Sequence, residues 1–263
     1  SGRSDARHLA QSFTNTGKPP MGIKELLFGS GETREERQVN KIKKRLMNPH
    51  RQTDDRKYAV QELLQIGSHE AIEAILQRYT YRTENGITDE GEKTFVFECL
   101  VELGFAASKP MEEYILTRVE VYWPLQAYRQ INGDEAALEL LLKALETVES
   151  GYSEQERRKA ELISNLREFQ DDRALARLVE ALVDSNDDVR VMAVEGILPH
   201  GPKKALKPLV DRLLDPEESG RIRTVILEVL ADAKWSLKNF RASLDGNLPA
   251  AYSLDSDGFI TRL

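Results

Sequence analysis

The chain has 263 residues, of which 40% are hydrophobic and 31% charged, so it can bury a sizeable core in one extended or two compact domains. No run approaches the roughly 18 uninterrupted apolar residues that a membrane span needs, and no signal-peptide pattern opens the sequence. Cys99 is the single cysteine, which excludes an intrachain disulfide and a thiolate metal cluster, and we expect a cytoplasmic protein.

The net charge of −7 is distributed unevenly along the chain. Residues 1–50 carry +5, whereas residues 51–130 carry −5 and residues 131–200 carry −8. An acidic body repels phosphate backbones, so the sequence disfavours nucleic acid as a partner.

The N-terminal part is predicted to flank the folded body. Residues 1–20 are polar and end in Lys-Pro-Pro, which predicts a flexible arm, with a partner-bound arm as the alternative. Residues 23–28 form a short apolar patch, and residues 30–33 are interpreted as a linker and helix N-cap. Residues 32–48 predict a helix with acidic residues at its start and basic residues at its end, which suits the helix dipole. We predict capping helices over residues 21–53, with a basic docking helix as the alternative.

The sequence then repeats one unit. "DRKYAVQELLQIGSHEAIEAIL" and "DVRVMAVEGILPHGPKKALKPLV" share apolar positions every four residues on both sides of a glycine. This pattern predicts a helix, a left-handed glycine C-cap and a second helix that returns antiparallel. The matching positions are Ala59, Leu63, Gly67, Ala71 and Ile75 in the first copy and Ala193, Ile197, Gly201, Ala205 and Leu209 in the second.

Weaker copies lie between and after these two, at steps of 31 to 37 residues where the spacing is regular. Such a period is typical of a solenoid of paired helices, in which each unit buries its apolar face against its neighbours. A plain multi-helix bundle is the competing architecture. At the C-terminus, residues 250–263 alternate apolar and polar on both sides of Asp-Ser-Asp-Gly. This predicts an extended or β-hairpin tail that covers the last helices.

"NDDVRVMAVEGILPHGPKKALKPLVDRLLDP", residues 186–216, resembles the short HEAT-like repeat of phycobilin (PBS) lyases. The resemblance is strong there, good over residues 54–78, moderate over 90–116 and 154–184, and poor over 119–148. It implies an all-α fold, a right-handed HEAT-like or ARM-type α-solenoid of about five to six hairpins over residues 54–233, followed by a cap over 234–263. The repeat is specific for fold and unspecific for function.

The resemblance also implies roles for charged residues. The arginine of the Val-Arg pair, at Arg190 and Arg223, is interpreted as an inter-repeat link to turn carboxylates or carbonyls. Second helices line the concave binding face of HEAT solenoids, which predicts a groove that runs from acidic to basic. An ordinary solvated surface is the alternative. The candidate protein-binding residues are Glu70, Glu73, Arg173, Arg177, Lys203, Lys204 and Lys207.

The sequence offers no candidate catalytic or metal-binding motif. His69-Glu70 is the only His-Glu pair, whereas HEAT-like iron hydroxylases use several such pairs, so no metal is predicted. Cys99 lies on an apolar stripe, which indicates a buried hydrophobe. Asp255 to Gly258 starts like a calcium loop but lacks its closing glutamate, so a tight turn is favoured. We therefore predict no catalytic residue and no cofactor.

The sequence-based conclusion is a non-catalytic scaffold or adaptor that binds a protein partner along the groove. The alternative is a bilin-lyase-like enzyme or enzyme subunit that handles a small molecule or a modified protein. Trp123 or His69 within a convergent cluster of titratable groups would favour the enzyme.

Overall fold

The computed structural model describes residues 32–148 and 153–263. The chain divides into two units, residues 1–38 and residues 39–263. The predicted arm of residues 1–20 and the apolar patch of residues 23–28 lie outside the described residues.

The described part of the first unit contains the start of helix α1 (Arg34–Leu46). The Thr33 hydroxyl accepts the backbone N–H of Glu36 (3.0 Å), and the Glu36 carboxylate accepts the N–H of Thr33 (2.6 Å). This reciprocal capping box satisfies two donors that a helix start leaves unpaired. The predicted N-cap is therefore confirmed at Thr33.

Within its described residues, the second unit contains five helical hairpins and a sixth first helix, α12 (Gly220–Ala233). Short 3₁₀ turns extend some of these helices. The hairpins are α2 (Thr53–Ile66) with α3 (His69–Leu76), α4 (Gly86–Leu103) with α5 (Ser108–Thr117), α6 (Tyr122–Asn132) with α7 (Asp134–Glu146), α8 (Ser153–Leu166) with α9 (Asp172–Ala181), and α10 (Asp187–Ile197) with α11 (Pro202–Leu214).

Each hairpin packs on the next. The first helices stack in the order α2, α4, α6 and again α8, α10, α12, while the second helices α3, α5 and α7 stack beside them. Helix α7 packs on α8 and so joins the two series. This sequential packing is that of an α-solenoid, as predicted. None of the helices in the described ranges is long and apolar enough to cross a bilayer.

The repeat pattern explains the core of the first hairpin. Ala59, Leu63, Ala71 and Ile75 are all fully buried, as the four-residue spacing predicts. Gly67 ends α2 in the left-handed conformation (φ 65°) and donates its N–H to Leu63 O at 3.0 Å. A residue with a Cβ would be strained at this φ, so glycine is required for the turn.

The region that matches the repeat poorly, residues 119–148, still forms a regular hairpin. Leu125 and Ala127 of α6 and Leu138 and Leu141 of α7 are buried in the common core. The pattern is obscured because α6 places a half-buried Trp123 and a proline in its first turn. Apolar periodicity survives in both helices, but only α7 keeps the small and large residues of the template, at Ala137 and Leu141.

A short helix, α13 (Arg241–Leu244), follows α12, and after it comes a two-stranded antiparallel sheet, as predicted. Strand β1 (Tyr252–Leu254) pairs with β2 (Ile260–Arg262), and β2 packs on α12. Gly258 has a positive φ of 85°, and its carbonyl accepts a hydrogen bond from the Leu237 N–H (2.7 Å). A Cβ atom on residue 258 would lie 2.5 Å from the backbone nitrogen of Lys238. The glycine therefore lets the turn approach the backbone closely, and the sheet covers the end of the solenoid.

Candidate binding surface on the second helices

The predicted groove residues lie on the second helices, and we call the exposed side chains of α3, α5, α7, α9 and α11 the second-helix face. Glu70 and Glu73 lie on α3, Arg173 and Arg177 on α9, and the three lysines on α11. Most of these side chains are exposed or half-exposed. All seven predicted residues therefore lie on the second helices of their hairpins.

Two arginines of α9 bind carboxylates of α7 in the preceding hairpin. Arg173 makes a bidentate pair with Glu135 (2.7 and 2.8 Å), and Arg177 lies 3.5 Å from Glu146. Hydrogen bonds to the carboxylates of Asp171, which has the larger effect, and Glu135 raise the pKa of the Arg173 guanidinium. Bidentate pairs fix both side chains in orientation. These arginines therefore tie hairpins together at the surface as well as lining it.

The lysines of α11 are less available than the sequence suggests. Lys204 forms an ion pair with Asp172 of α9, and Lys207 pairs with Asp211 one turn along its own helix (2.6 Å). Lys203 is exposed, and no described residue pairs with it. The predicted basic end of the groove is therefore partly neutralised within the chain, and its charge gradient is weaker than the formal charges imply.

At the opposite end, the structure gives His69 different neighbours from those that the sequence suggested. His69 Nε2 lies 2.9 Å from Glu113 Oε2 of α5 and 3.7 Å from Glu73 Oε1 of its own helix. Glu70, the sequence neighbour, is exposed and has no partner among the described residues. Glu113 is 44 residues away, so only the stacking of α3 on α5 brings it to His69.

The predicted role of the Val-Arg arginines is confirmed. Arg190 donates to Asp184 O (2.6 Å) and lies 3.2 Å from Glu218 of the next turn, and Arg223 donates to Asp215 O (2.6 Å). Both arginines thus satisfy turn carbonyls between repeats.

In the earlier repeat of α8, Lys159 lies three residues before the buried Leu162, which is the position that Arg190 has before the buried Ala193. Lys159 forms an ion pair with Asp184, but the buried link is its neighbour Arg158, which is 3% exposed. Arg158 donates to the backbone carbonyls of Leu116 (2.6 Å), Arg118 (3.1 Å) and Ile115 (3.2 Å). The sequence analysis missed this residue because its acceptors lie about 40 positions earlier in the chain.

A buried ion cluster between the first two hairpins was also missed. Glu92 binds both Arg56 and Arg78, at 2.9 Å from Arg56 Nε and 2.8 Å from Arg78 Nε. Arg78 also binds Asp89 (2.7 Å), which in turn binds Lys93 (2.7 Å). A sequence signal did exist, since Glu92 falls four residues before Val96 and so occupies a position on the buried stripe of α4.

Opposing effects act on the two carboxyl groups of this cluster. Burial acts to raise the pKa of Glu92, but hydrogen bonds from Arg56 and Arg78 outweigh it, so the pKa is lowered. Burial likewise acts against ionised Asp89, yet hydrogen bonds from Lys93 and Arg78 bring its pKa down to about 2. Both groups are therefore ionised partners at neutral pH.

A cleft of about 710 Å³ lies where the loop after α3 meets the starts of α4 and α6 and the side of α8. Its walls include Tyr81, Arg82, Tyr122, Trp123 and Glu161. The cleft thus combines aromatic and titratable side chains.

Within this cleft, the Glu161 carboxylate of α8 lies near the backbone N–H groups of Tyr122 and Val121, at the start of α6. Burial raises the pKa of Glu161 and outweighs the opposing effect of these N–H groups. Cys99, in contrast, is buried in the core as predicted, and burial raises the pKa of its thiol to about 11.

Residues 150–231 match the family described as HEAT repeats. The match runs from α8 into α12, so it covers less than a third of the chain. It supports the HEAT-repeat superfamily for this part, and the earlier hairpins continue the same stacked architecture. A comparison with curated proteins finds no match to the chain.

Proposed function

We propose that this chain is a non-catalytic HEAT-repeat adaptor that binds a protein partner along the second-helix face. The observation that carries the proposal is the row of charged side chains on this face, which ion pairs hold in place between successive hairpins. Arg173 with Glu135 and Lys204 with Asp172 are such pairs, and a hydrogen bond between His69 and Glu113 links the first two hairpins in the same way. Side chains that are already ordered lose less entropy when a partner binds.

The unpaired charges indicate how a partner is oriented. Glu70 at one end and Lys203 at the other are exposed and have no partner among the described residues. Charges of opposite sign at the two ends favour one direction of an elongated partner. Such charges act more on specificity and association rate than on affinity.

A charge swap tests this proposal without altering the net charge. The double variant Glu70→Lys/Lys203→Glu breaks no internal ion pair, so we expect a normally folded chain that captures its partner several-fold less well. Affinity capture from the native host, repeated at increasing salt, measures the effect, because screening weakens exposed charge interactions.

The matched control is Glu195→Lys/Lys238→Glu, which swaps two exposed charges away from the second helices and also preserves the net charge. Capture should be unchanged in this control. If the Glu70/Lys203 swap captures the same partner as strongly as the original chain, the second-helix face is not the binding surface.

The cleft beside α6 and α8 supports a second candidate function. A carboxyl group with a raised pKa beside aromatic side chains is typical of sites that bind or transform small molecules. Trp123 lies in this cleft, which is the feature that favours the enzyme alternative. With the sequence pattern of residues 186–216, it supports a phycobilin-lyase-type protein that holds a small molecule or a modified protein there.

Trp123 itself reports on this alternative. In a Trp235→Phe variant, Trp123 is the only tryptophan, so a linear tetrapyrrole bound in the cleft should quench the remaining fluorescence in a saturable manner. The partner variant Trp123→Phe keeps only Trp235 and should show weak quenching. Equal, unsaturable quenching in both variants would exclude a tetrapyrrole site in this cleft.

A further inference from the structure

Two adjacent second helices bring one imidazole and two carboxylates together at the acidic end of the second-helix face. His69 and Glu73 are four residues apart and so lie on the same side of α3, while Glu113 comes from α5. One ligand atom from each residue lies within 4.8 Å of the other two. The three side chains are between about a third and a half exposed.

The spacing of these atoms suits a metal ion. Zinc binds imidazole nitrogen and carboxylate oxygen at about 2.0–2.2 Å, so tetrahedral ligand atoms lie about 3.3 Å apart. The two measured separations from His69 Nε2, 2.9 Å to Glu113 and 3.7 Å to Glu73, lie on either side of this value. Small rotations of exposed glutamate side chains are enough to complete the geometry.

We propose that His69, Glu73 and Glu113 bind a divalent transition-metal ion of the zinc class. The two carboxylates balance the charge of the ion, and the imidazole gives it a nitrogen ligand that alkaline-earth ions do not favour. The side exposed to solvent leaves a fourth position for water or a partner's side chain. The ion joins α3 to α5 and therefore the first hairpin to the second.

This site differs from the arrangement that the sequence brought to attention. The adjacent pair His69-Glu70 contributes only its histidine, because Glu70 is not a member of the cluster. Metal binding at these three residues requires only the isolated full chain and is independent of the proposed adaptor function.

The test is calorimetric titration of the full chain with Zn²⁺ alone in a non-chelating buffer. We expect one saturable site per chain and a higher unfolding temperature with Zn²⁺, because an ion that binds only the folded state stabilises it. Loss of even an outer partner of a metal ligand typically weakens affinity by about 10- to 100-fold. His69→Ala and Glu113→Gln should therefore each weaken Zn²⁺ binding at least about tenfold.

Two variants separate this site from adventitious binding. Glu70→Gln removes the neighbouring carboxylate, and His50→Ala removes a histidine outside the cluster, so both should bind Zn²⁺ like the original chain. Glu113→Gln retains a side-chain oxygen that can accept a hydrogen bond from His69, which keeps the hairpins together. The proposal is overturned if the original chain shows no saturable site, or if His69→Ala binds as tightly as the original chain.

Discussion

Replacement of Glu92 by alanine is expected to lower the free energy of unfolding by about 3–5 kcal/mol, the cost typical of breaking a buried ion pair from one side. Glu92 is 2% exposed, and its two partners, Arg56 and Arg78, are 3% and 1% exposed. The substitution leaves two buried guanidinium groups without their shared carboxylate. Chemical denaturation at pH 7 measures the loss.

Glu90→Ala is the matched control, because Glu90 lies two positions away on the same helix and is exposed. Its effect should stay within about 0.5 kcal/mol, as for most surface substitutions. A loss for Glu92→Ala no larger than that of the control would show that the arginines find other acceptors. Arg56 has candidates nearby, since it already donates to the Pro49 carbonyl (3.3 Å).

The same cluster gives the chain a defined acid sensitivity. The pKa of Asp89 is lowered on folding to about 2, so its stabilising contribution is complete above the unfolded-state pKa of about 3.9. That contribution is lost as the pH falls from about 4 through 2. The Glu92→Ala variant, whose cluster is already broken, should lose less further stability over this range.

The sequence predicted the repeated unit well because that information is local. The positions of Ala59, Leu63 and Gly67 determine a buried stripe and a turn through spacings of four residues, which are properties of one helix. The C-terminal hairpin was predictable for the same reason, since Asp255 accepts the N–H groups of residues 257 and 259 within its own turn.

The candidate sites could not be predicted in this way because they join residues from different repeats. Glu113 reaches His69 only after α3 and α5 stack, and the acceptors of Arg173 lie in the preceding hairpin. Charge counts along the sequence treat Lys204 as free, although the fold places it beside Asp172. The sequence therefore placed the candidate residues on the second helices but overestimated the free positive charge there.

Arg158 presents a second case in which one buried side chain joins separate repeats. Replacement by methionine, which fills a similar volume but has no donor, is expected to cost about 3 kcal/mol or more, because each buried acceptor left unpaired costs about 1–3 kcal/mol. Burial lowers the pKa of this arginine, and the groups that it binds are three carbonyls and the Thr147 hydroxyl rather than a carboxylate. Denaturant unfolding of Arg158→Met measures the loss.

The adjacent Arg157 supplies the control, since its side chain is 71% exposed and its only ion-pair partner among the described residues, Glu120 at 3.6 Å, is itself 46% exposed. Arg157→Met should change stability by less than about 0.5 kcal/mol. Arg158→Lys should recover little, because one ammonium cannot reproduce the planar fork that reaches several carbonyls. If Arg158→Met matched the original chain in stability, packing alone would hold α8 in place.

The loss of stability in Arg158→Met should be concentrated in one part of the chain. Arg158 lies on α8, the first helix of the part that matches HEAT repeats, and its acceptors lie at the end of α5 in the second hairpin. In a solenoid, stability depends on contacts between neighbouring units, so removal of this link should uncouple the two parts. Hydrogen exchange of Arg158→Met should therefore rise most around residues 115–118 and the start of α8, while α10 to α12 stay protected.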